Sequence, residues 1–286
     1  MTMLVARTRD ELDTALKPFR TDQAGIGFVP TMGALHAGHA ALMRAAREPA
    51  SALVASIFVN PLQFGPDEDF SRYPRPFETD LELCSAEGVD VVFAPPYDVV
   101  YPTGDPAVTV DPGPSADDLE GVSRPGHFRG VLTVVAKLFG LVRPDLAVFG
   151  QKDYQQLALI EAMTRDLSMA IEIVGIPHVR EPDGLALSSR NTYLAAHERE
   201  QALALVAALR AGAEVGSAGP DAVRRVGRAV LEAAVGVDLD YFEVRATDLG
   251  PAPESGIGRM LTAAQVGATR LIDNMAVQLG MHNGEE

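Results

Sequence analysis

A chain of 286 residues suits one large or two modest domains, and its 47% hydrophobic content argues for a buried core and against disorder. A net charge of −15 works against nucleic acid or an anionic membrane as partner, and no uninterrupted apolar run approaches the roughly 18 residues of a membrane span. The single cysteine, Cys84, permits no internal disulfide and suits a reducing cytosol, so the expectation is a soluble, cytoplasmic protein.

The first residues are charged and amphipathic, without a signal-peptide core. Thr8 followed by Glu11 reads as a capping box opening a short helix that Pro18 ends. Residues 26–29 are an apolar run that stops at Pro30, a short buried strand. Beyond Met32-Gly33 a pattern with Leu42, Met43 and Ala46 opens a helix near Gly38. A strand that turns through glycines into a helix start is a ready anion site, because the first helical N–H groups have no partners. His36 and His39 stand three apart, which puts both rings on one side of that first turn. Gly38 between them lets a flat ring or a phosphate lie against the backbone. Zinc helices space two histidines four apart with a glutamate between, and no Cys or third His lies nearby, so this pair reads as phosphate chemistry rather than a metal site. The plain alternative is a glycine-rich turn carrying two histidines without a role.

Residues 53–59 form a second buried strand, ending in Asn60-Pro61-Leu62-Gln63-Phe64. In an open parallel sheet that loop falls where ligands bind. The amides of Asn60 and Gln63 suit a small hydroxylated acid, or the segment is an ordinary turn fixed by Pro61. Residues 67–76 read as an ordered, proline-rich loop in which Tyr73 either lines the substrate side or packs on the surface. A helix over 78–87 and a strand over 89–93 follow. Residues 95–125 are irregular with a short strand at 108–110, and Arg124 is a candidate phosphate or dimer contact. A helix over 128–142 carries Lys137 as a solvated charge. The strand over 146–149 closes on Gly150-Gln151-Lys152-Asp153 before a helix over 154–166. Lys152 stands where its ammonium can reach a phosphate, and Asp153 either bonds a ribose or caps the helix. A last strand at 171–176 completes an alternation that predicts an α/β fold, a Rossmann-like parallel sheet with helices on both faces. Its glycine pattern is not the G-x-G-x-x-G of a dinucleotide oxidoreductase.

Residues 177–191 join this domain to the next and include Leu187-Ser188-Ser189-Arg190, two hydroxyls and a guanidinium on a glycine-hinged loop that suits closure over a triphosphate. From 195 onward, helices over 198–215 and 222–235 and strands at 239–245, 259–264 and 269–279 read as a smaller C-terminal α+β domain with a short antiparallel sheet. The tail from His282 is polar and reads as disordered.

Four strings carry a resemblance. Pro30-Thr31-Met32-Gly33 with His36-Ala37-Gly38-His39 resembles the "HIGH" element of the adenylate-forming nucleotidyltransferase superfamily, which includes class I aminoacyl-tRNA synthetases. Together with residues 58–64, 150–156 and 188–191, in that order, it resembles the pantoate–β-alanine ligase (pantothenate synthetase) family over nearly the whole chain. The resemblance implies an AMP-forming ligase that condenses pantoate with β-alanine through pantoyl adenylate, with ATP as co-substrate, Mg²⁺ on the phosphates and a homodimer joined through the larger domain. It implies an ATP- and pantoate-binding domain over 1–178 and a lid domain over 179–286. His36, His39, Lys152, Ser188, Ser189 and Arg190 are then catalytic, with His39 matching the family's proton donor to the leaving group. Met32, Gly33, Gly38, Gly150, Asp153, Val179 and Leu187 join them around ATP, while Gln63, Gln156, Asn60 and Met32 face pantoate or β-alanine. No protein ligand to a metal is assigned. The chain departs from the family at Gln151, where glutamate is common, and at Leu187, where methionine is usual. A nucleotidylyltransferase of the same superfamily and an RNA-binding relative of the synthetases are the competing readings, the second disfavoured by the acidic balance.

Overall fold

The computed structural model describes residues 3–20, 25–66, 68 and 70–280. They form two compact units, Met1–Gln151 with Gln155–Pro177, and Lys152–Tyr154 with His178–Glu286. The segment Lys152–Tyr154 thus groups with the second unit although its chain neighbours on both sides belong to the first.

The first unit is a parallel sheet of β1 (Leu4–Ala6), β2 (Ile26–Thr31), β3 (Ala52–Ile57), β4 (Val91–Phe93), β5 (Leu146–Gly150) and β6 (Glu172–Ile176). Its helices are α1 (Arg9–Leu16), α2 (Ala37–Arg47), α3 (Phe77–Ala86), the single turns α4 (Tyr97–Val100) and α5 (Glu120–Ser123), α6 (His127–Val142) and, from its second residue onward, α7 (Tyr154–Asp166). Neighbouring residues of β2 face opposite sides of the sheet. Val29 packs in one cluster with Met43 and Ala46 of α2 and Cys84 of α3. Phe28 meets Phe139 of α6 edge-on at 6.4 Å, so helices cover both faces. Phe28 and Val29 are fully buried, and each such side chain contributes about 1.5–3 kcal/mol.

The strand order β1-β4-β3-β2-β5-β6 places the chain's reversal between β2 and β5. From β2 the chain adds β3 and then β4 on one side, and returns to add β5 and β6 on the other. Ligands of open α/β sheets bind beyond the carboxyl ends of the strands at such a point. Here those ends are Thr31 and Gly150.

Two expectations need correction, and one strand goes unforeseen. The β2 strand runs through Pro30 to Thr31, because its pairing with β5 stops at Phe28 while its pairing with β3 continues to Thr31; the missing N–H of Pro30 therefore breaks no ladder. The segment 4–6, which shows no strand pattern, is the edge strand β1, paired with β4. Residues 108–110 form no strand: Val108 is 85% exposed, and the Val110 N–H donates to Thr133 Oγ1 at 3.0 Å instead of to another strand.

The second unit is an antiparallel sheet of β7 (Val237–Arg245), β8 (Gly256–Val266) and β9 (Thr269–Leu279), with helices α8 (Ala196–Glu214) and α9 (Pro220–Glu232). The β8–β9 hairpin pairs without slippage from Gly256 and Leu279 to Val266 and Thr269, which carries β8 beyond the 259–264 expected for it. Leu205, Leu209, Val223 and Leu231 of the helices bury against Phe242, Val244, Met260 and Val277 of the sheet. Among the described residues no helix is long and apolar enough to cross a membrane. The tail from His282 and Asp67 of the proline-rich loop lie outside the described residues.

Candidate active site

The turn after β2 is pinned before the histidines begin. Thr31 Oγ1 donates to the Ser56 carbonyl at 2.6 Å and accepts the Gly33 N–H at 3.1 Å. Gly33 has φ +83°, a conformation glycine adopts without strain, and Ala34 follows at +52°. Asp80 of α3, 1% exposed, then accepts the N–H groups of Ala34 at 3.0 Å and Leu35 at 2.7 Å. His36 is the N-cap of α2: its Nδ1 accepts the Gly38 N–H at 3.1 Å, and His39 Nδ1 accepts the His36 N–H at 3.2 Å. The two rings lie 4.2 Å apart between centroids, tilted by 46°. A ring nitrogen that accepts carries no proton, so the neutral imidazoles hold theirs on Nε2.

The Gly38 N–H is committed to His36, and those of Ala34 and Leu35 to Asp80. Of the amides in this turn, those of Ala34, Leu35 and Gly38 thus already have side-chain acceptors. Asp80 is a residue that sequence reasoning passed over, because an acid on an ordinary amphipathic helix gives no sign of reaching a turn some 45 positions away.

At the end of β3, Asn60 is 1% exposed and its amide is taken up inside the protein. Its Oδ1 accepts the Tyr101 hydroxyl at 3.0 Å, and its Nδ2 donates to the Gly130 carbonyl at 3.1 Å and to Gln63 Oε1 at 3.3 Å. Asn60 therefore stands behind Gln63, orienting its amide. Gln63 Nε2 in turn donates to Met32 Sδ at 3.0 Å, which brings two of the expected substrate residues together. An added Cβ on Gly130 would come within 2.2 Å of the Leu62 carbonyl, so only glycine lets α6 lie this close under the turn. Arg124 forms a two-pronged ion pair with Glu68 at 2.8 and 2.6 Å and reaches His127 Nε2 at 2.9 Å. A guanidinium only donates, so His127 bears its proton on Nδ1 and donates to the Gln63 carbonyl at 2.8 Å. Arg124 thus buttresses the Gln63 turn through His127. Lys137, expected as a solvated charge, lies 5.3 Å over the Tyr101 ring.

At the end of β5, Gln151 Nε2 donates to the Gly175 carbonyl of β6 at 3.1 Å. A carboxylate could not make that bond, which gives the departure from glutamate a structural role. Gln155, 3% exposed, ties the preceding loop with bonds to Ser115, Asp118 and Glu120, and Gln156 beside it is half-buried.

The remaining residues belong to the second unit. The Lys152 side chain is 17% exposed with Nζ 3.9 Å from the Asp153 carboxylate. Residues 179–187 double back on themselves: the Leu187 N–H donates to the Val179 carbonyl at 3.0 Å, and Arg180 bridges to Ala186. Val179 and Leu187, both expected around ATP, are therefore direct neighbours. Ser188 Oγ accepts the Arg190 N–H at 3.2 Å and caps the short helix Ser189–Tyr193. Arg180 grips Asp273 through two bonds of 2.7 and 2.8 Å, and His178 Nε2 approaches the same carboxylate at 3.1 Å. Burial pushes the Asp273 carboxyl up, but the bonds from His178 and Arg180 outweigh it and hold it below the ordinary carboxylate range. Among the described residues no group of three or more His, Cys, Asp or Glu is placed to hold a metal ion.

Comparison with known proteins joins these two sets of residues to a family. Residues 4–276 match the family described as pantoate-beta-alanine ligase. The pantothenate synthetase of Saccharopolyspora erythraea is 61% identical, over 95% of this chain and 90% of that protein. The crystal structure of pantothenate synthetase from Thermus thermophilus superposes with a TM-score of 0.87 at 46% identity, covering 96% of this chain and 99% of that one. The pantoate-beta-alanine ligase of Francisella tularensis, crystallised with beta-gamma ATP and β-alanine, gives 0.79 at 34% identity, covering 96% and 97%. The chain belongs to the pantoate–β-alanine ligase family.

Proposed function

We propose that the protein condenses pantoate with β-alanine at the expense of ATP, through pantoyl adenylate. In the first half-reaction a pantoate carboxylate oxygen attacks the α-phosphorus and the bond to the β-phosphate oxygen breaks, releasing pyrophosphate. In the second, the neutral amine of β-alanine attacks the acyl carbon, the bond from that carbon to the phosphate oxygen breaks to release AMP, and the nitrogen gives up one proton as the amide forms. The observation that carries this reading is the imidazole pair oriented by the backbone at the sheet's switch point, in a chain of this family. The Francisella relative's complex with ATP and β-alanine supports the choice of substrates.

Negative charge builds on the phosphoryl oxygens and the departing pyrophosphate, so catalysis rests on prepositioned donors. His36 and His39 supply Nε2–H donors, with His39 giving its proton to the leaving group. Lys152, Arg190 and the hydroxyls of Ser188 and Ser189 neutralise the phosphates. Gln63, Gln156 and Met32 receive pantoate, with Asn60 supporting Gln63. Val179 and Leu187 pack the adenine, Asp153 bonds the ribose, and Gly33, Gly38 and Gly150 allow the nucleotide close to the backbone. The proposed phosphate contacts are imidazole, ammonium, hydroxyl and guanidinium groups. That donor set fits a Mg²⁺ ion carried by the triphosphate and water, where it neutralises phosphate charge, better than one caged by protein carboxylates.

We place the protein in the cytoplasm, consistent with its free, buried Cys84, and expect a homodimer joined through the larger unit, which light scattering after gel filtration reads directly. The deciding experiment for the reaction is ATP–pyrophosphate exchange with pantoate present and β-alanine absent. Exchange that requires pantoate is the expected result; no exchange under saturating ATP and pantoate overturns the adenylate.

A further inference from the structure

Strand β9 sets two buried residues side by side, Asp273 and Asn274, at 3% and 2% exposure. Asp273 holds Arg180 and His178, and so anchors the strap that leads into Ser188–Arg190. Asn274 takes the other segment. Its Nδ2 donates to the Lys152 carbonyl at 2.9 Å, and its Oδ1 accepts from Arg259 Nη1 at 3.2 Å. Arg259 lies 4.0 Å over the Tyr154 ring, whose hydroxyl donates to the Thr247 carbonyl at 2.9 Å. Lys152–Tyr154 is thus held at its first and last residues by the second unit, through residues far along the chain.

We propose that Asn274 is a positioning residue for Lys152: by fixing the Lys152 carbonyl to the strand that also anchors the strap, it makes Lys152 and Ser188–Arg190 meet the triphosphate as one body. This rests on the reading that Lys152 contacts the phosphates. The carbonyl bond sets the peptide plane from which the lysine side chain departs, and the side chain's low exposure leaves it few other conformations. A displacement of about 1 Å at a reacting centre lowers rates by up to ~100-fold.

The test is pantoate-dependent ATP–pyrophosphate exchange by Asn274→Ala and Asn274→Asp, each made in the wild-type and Lys152→Ala backgrounds. Asn274→Asp keeps the size and the acceptor for Arg259 but loses the donor to Lys152. In the wild-type background both are expected to lower kcat by ~10- to 100-fold with KM for pantoate unchanged. In the Lys152→Ala background neither is expected to lower the residual rate by more than about twofold, because the group being positioned is gone. An equal loss in both backgrounds, or wild-type kcat in the folded single variants, overturns the proposal. Should Lys152→Ala itself exchange at the wild-type rate, the assignment of Lys152 falls, and this proposal with it; a severe Lys152→Ala defect beside intact Asn274 variants removes this proposal alone.

Discussion

His39 Nδ1 accepts the main-chain N–H of His36 at 3.2 Å, while His36 Nδ1 accepts that of Gly38 at 3.1 Å. Each imidazole is therefore aimed by the backbone of the turn it serves, with its proton directed to Nε2. On the proposed reading His39→Ala removes a transition-state donor, an effect on the order of 3 kcal/mol, and is expected to lower kcat for exchange by ~100-fold with KM for pantoate little changed. His36→Ala also removes the helix cap, so it is expected to lose activity and about 1 kcal/mol of stability as well. Exchange kinetics beside denaturant titration separate the two, and a His39→Ala enzyme within a few-fold of wild type would sink the role given to its ring.

Lys152 is expected to behave in the opposite way to a structural lysine. Its carbonyl, not its ammonium, makes the bond to Asn274, and its Nζ sits 3.9 Å from Asp153 in an ion pair of small energetic consequence. Lys152→Ala is expected to lower kcat by ~100-fold or more while moving the unfolding free energy by less than about 1 kcal/mol. Steady-state kinetics and urea titration read both numbers; a fall in kcat of only a few-fold contradicts the phosphate role.

What the sequence discloses is mostly local. The capping box of Thr8 and Glu11 forms as its spacing predicts, and the two imidazoles meet where the sequence puts the start of α2, although His36 is the extended N-cap and only His39 stands on the first turn. Propensity misleads where no partner exists: Val108-Thr109-Val110 has strand-forming residues but no neighbouring strand, whereas Leu4-Val5-Ala6 becomes a strand because β4, far along the chain, offers an edge. Long-range polar contacts leave no periodic trace at all. Asp80 reaches Ala34 and Leu35, and Asn274 reaches Lys152, through single side chains whose neighbours in sequence are ordinary.

Asp273 gives the second unit a defined acid sensitivity. Burial opposes its charge, but the bonds from His178 and Arg180 prevail and lower its folded-state pKa. Its contribution to stability is therefore complete above the ordinary carboxylate value of about 4 and is lost as the pH falls through the lowered folded value. Asp273→Asn is expected to lower Tm at neutral pH and to flatten the acid limb of the Tm–pH curve, the two proteins converging once the pH falls below the lowered folded value. Calorimetry across a buffer series checks this, and parallel curves would contradict it.

Cys84 is expected to be chemically silent in the folded protein. It is fully buried, and burial followed by the nearby Asp80 carboxylate pushes its thiol up to about 12. Because the thiolate is the nucleophile, a disulfide reagent at mildly alkaline pH should titrate no thiol in the native enzyme and one per chain after denaturation. Rapid native labelling would mean that α3 opens far more readily than its packing implies.

Gly130 offers a test of the Gln63 turn that leaves every proposed contact residue in place. Its missing side chain lets α6 pass under the segment 61–63, where an added Cβ would lie 2.2 Å from the Leu62 carbonyl and 2.7 Å from Gln63 Cα. Both contacts are backbone, so Gly130→Ala must push the turn away rather than displace a flexible side chain. The same shift strains the bonds from Asn60 to the Gly130 carbonyl and from His127 to the Gln63 carbonyl. Overpacking of this kind destabilises by about 1–3 kcal/mol, and the displaced Gln63 amide should raise KM for pantoate by ~10-fold or more. KM for ATP should change far less, since Gln63 is not assigned to the nucleotide. Equal increases in both Michaelis constants would show that Gln63 does not distinguish the acid from the nucleotide.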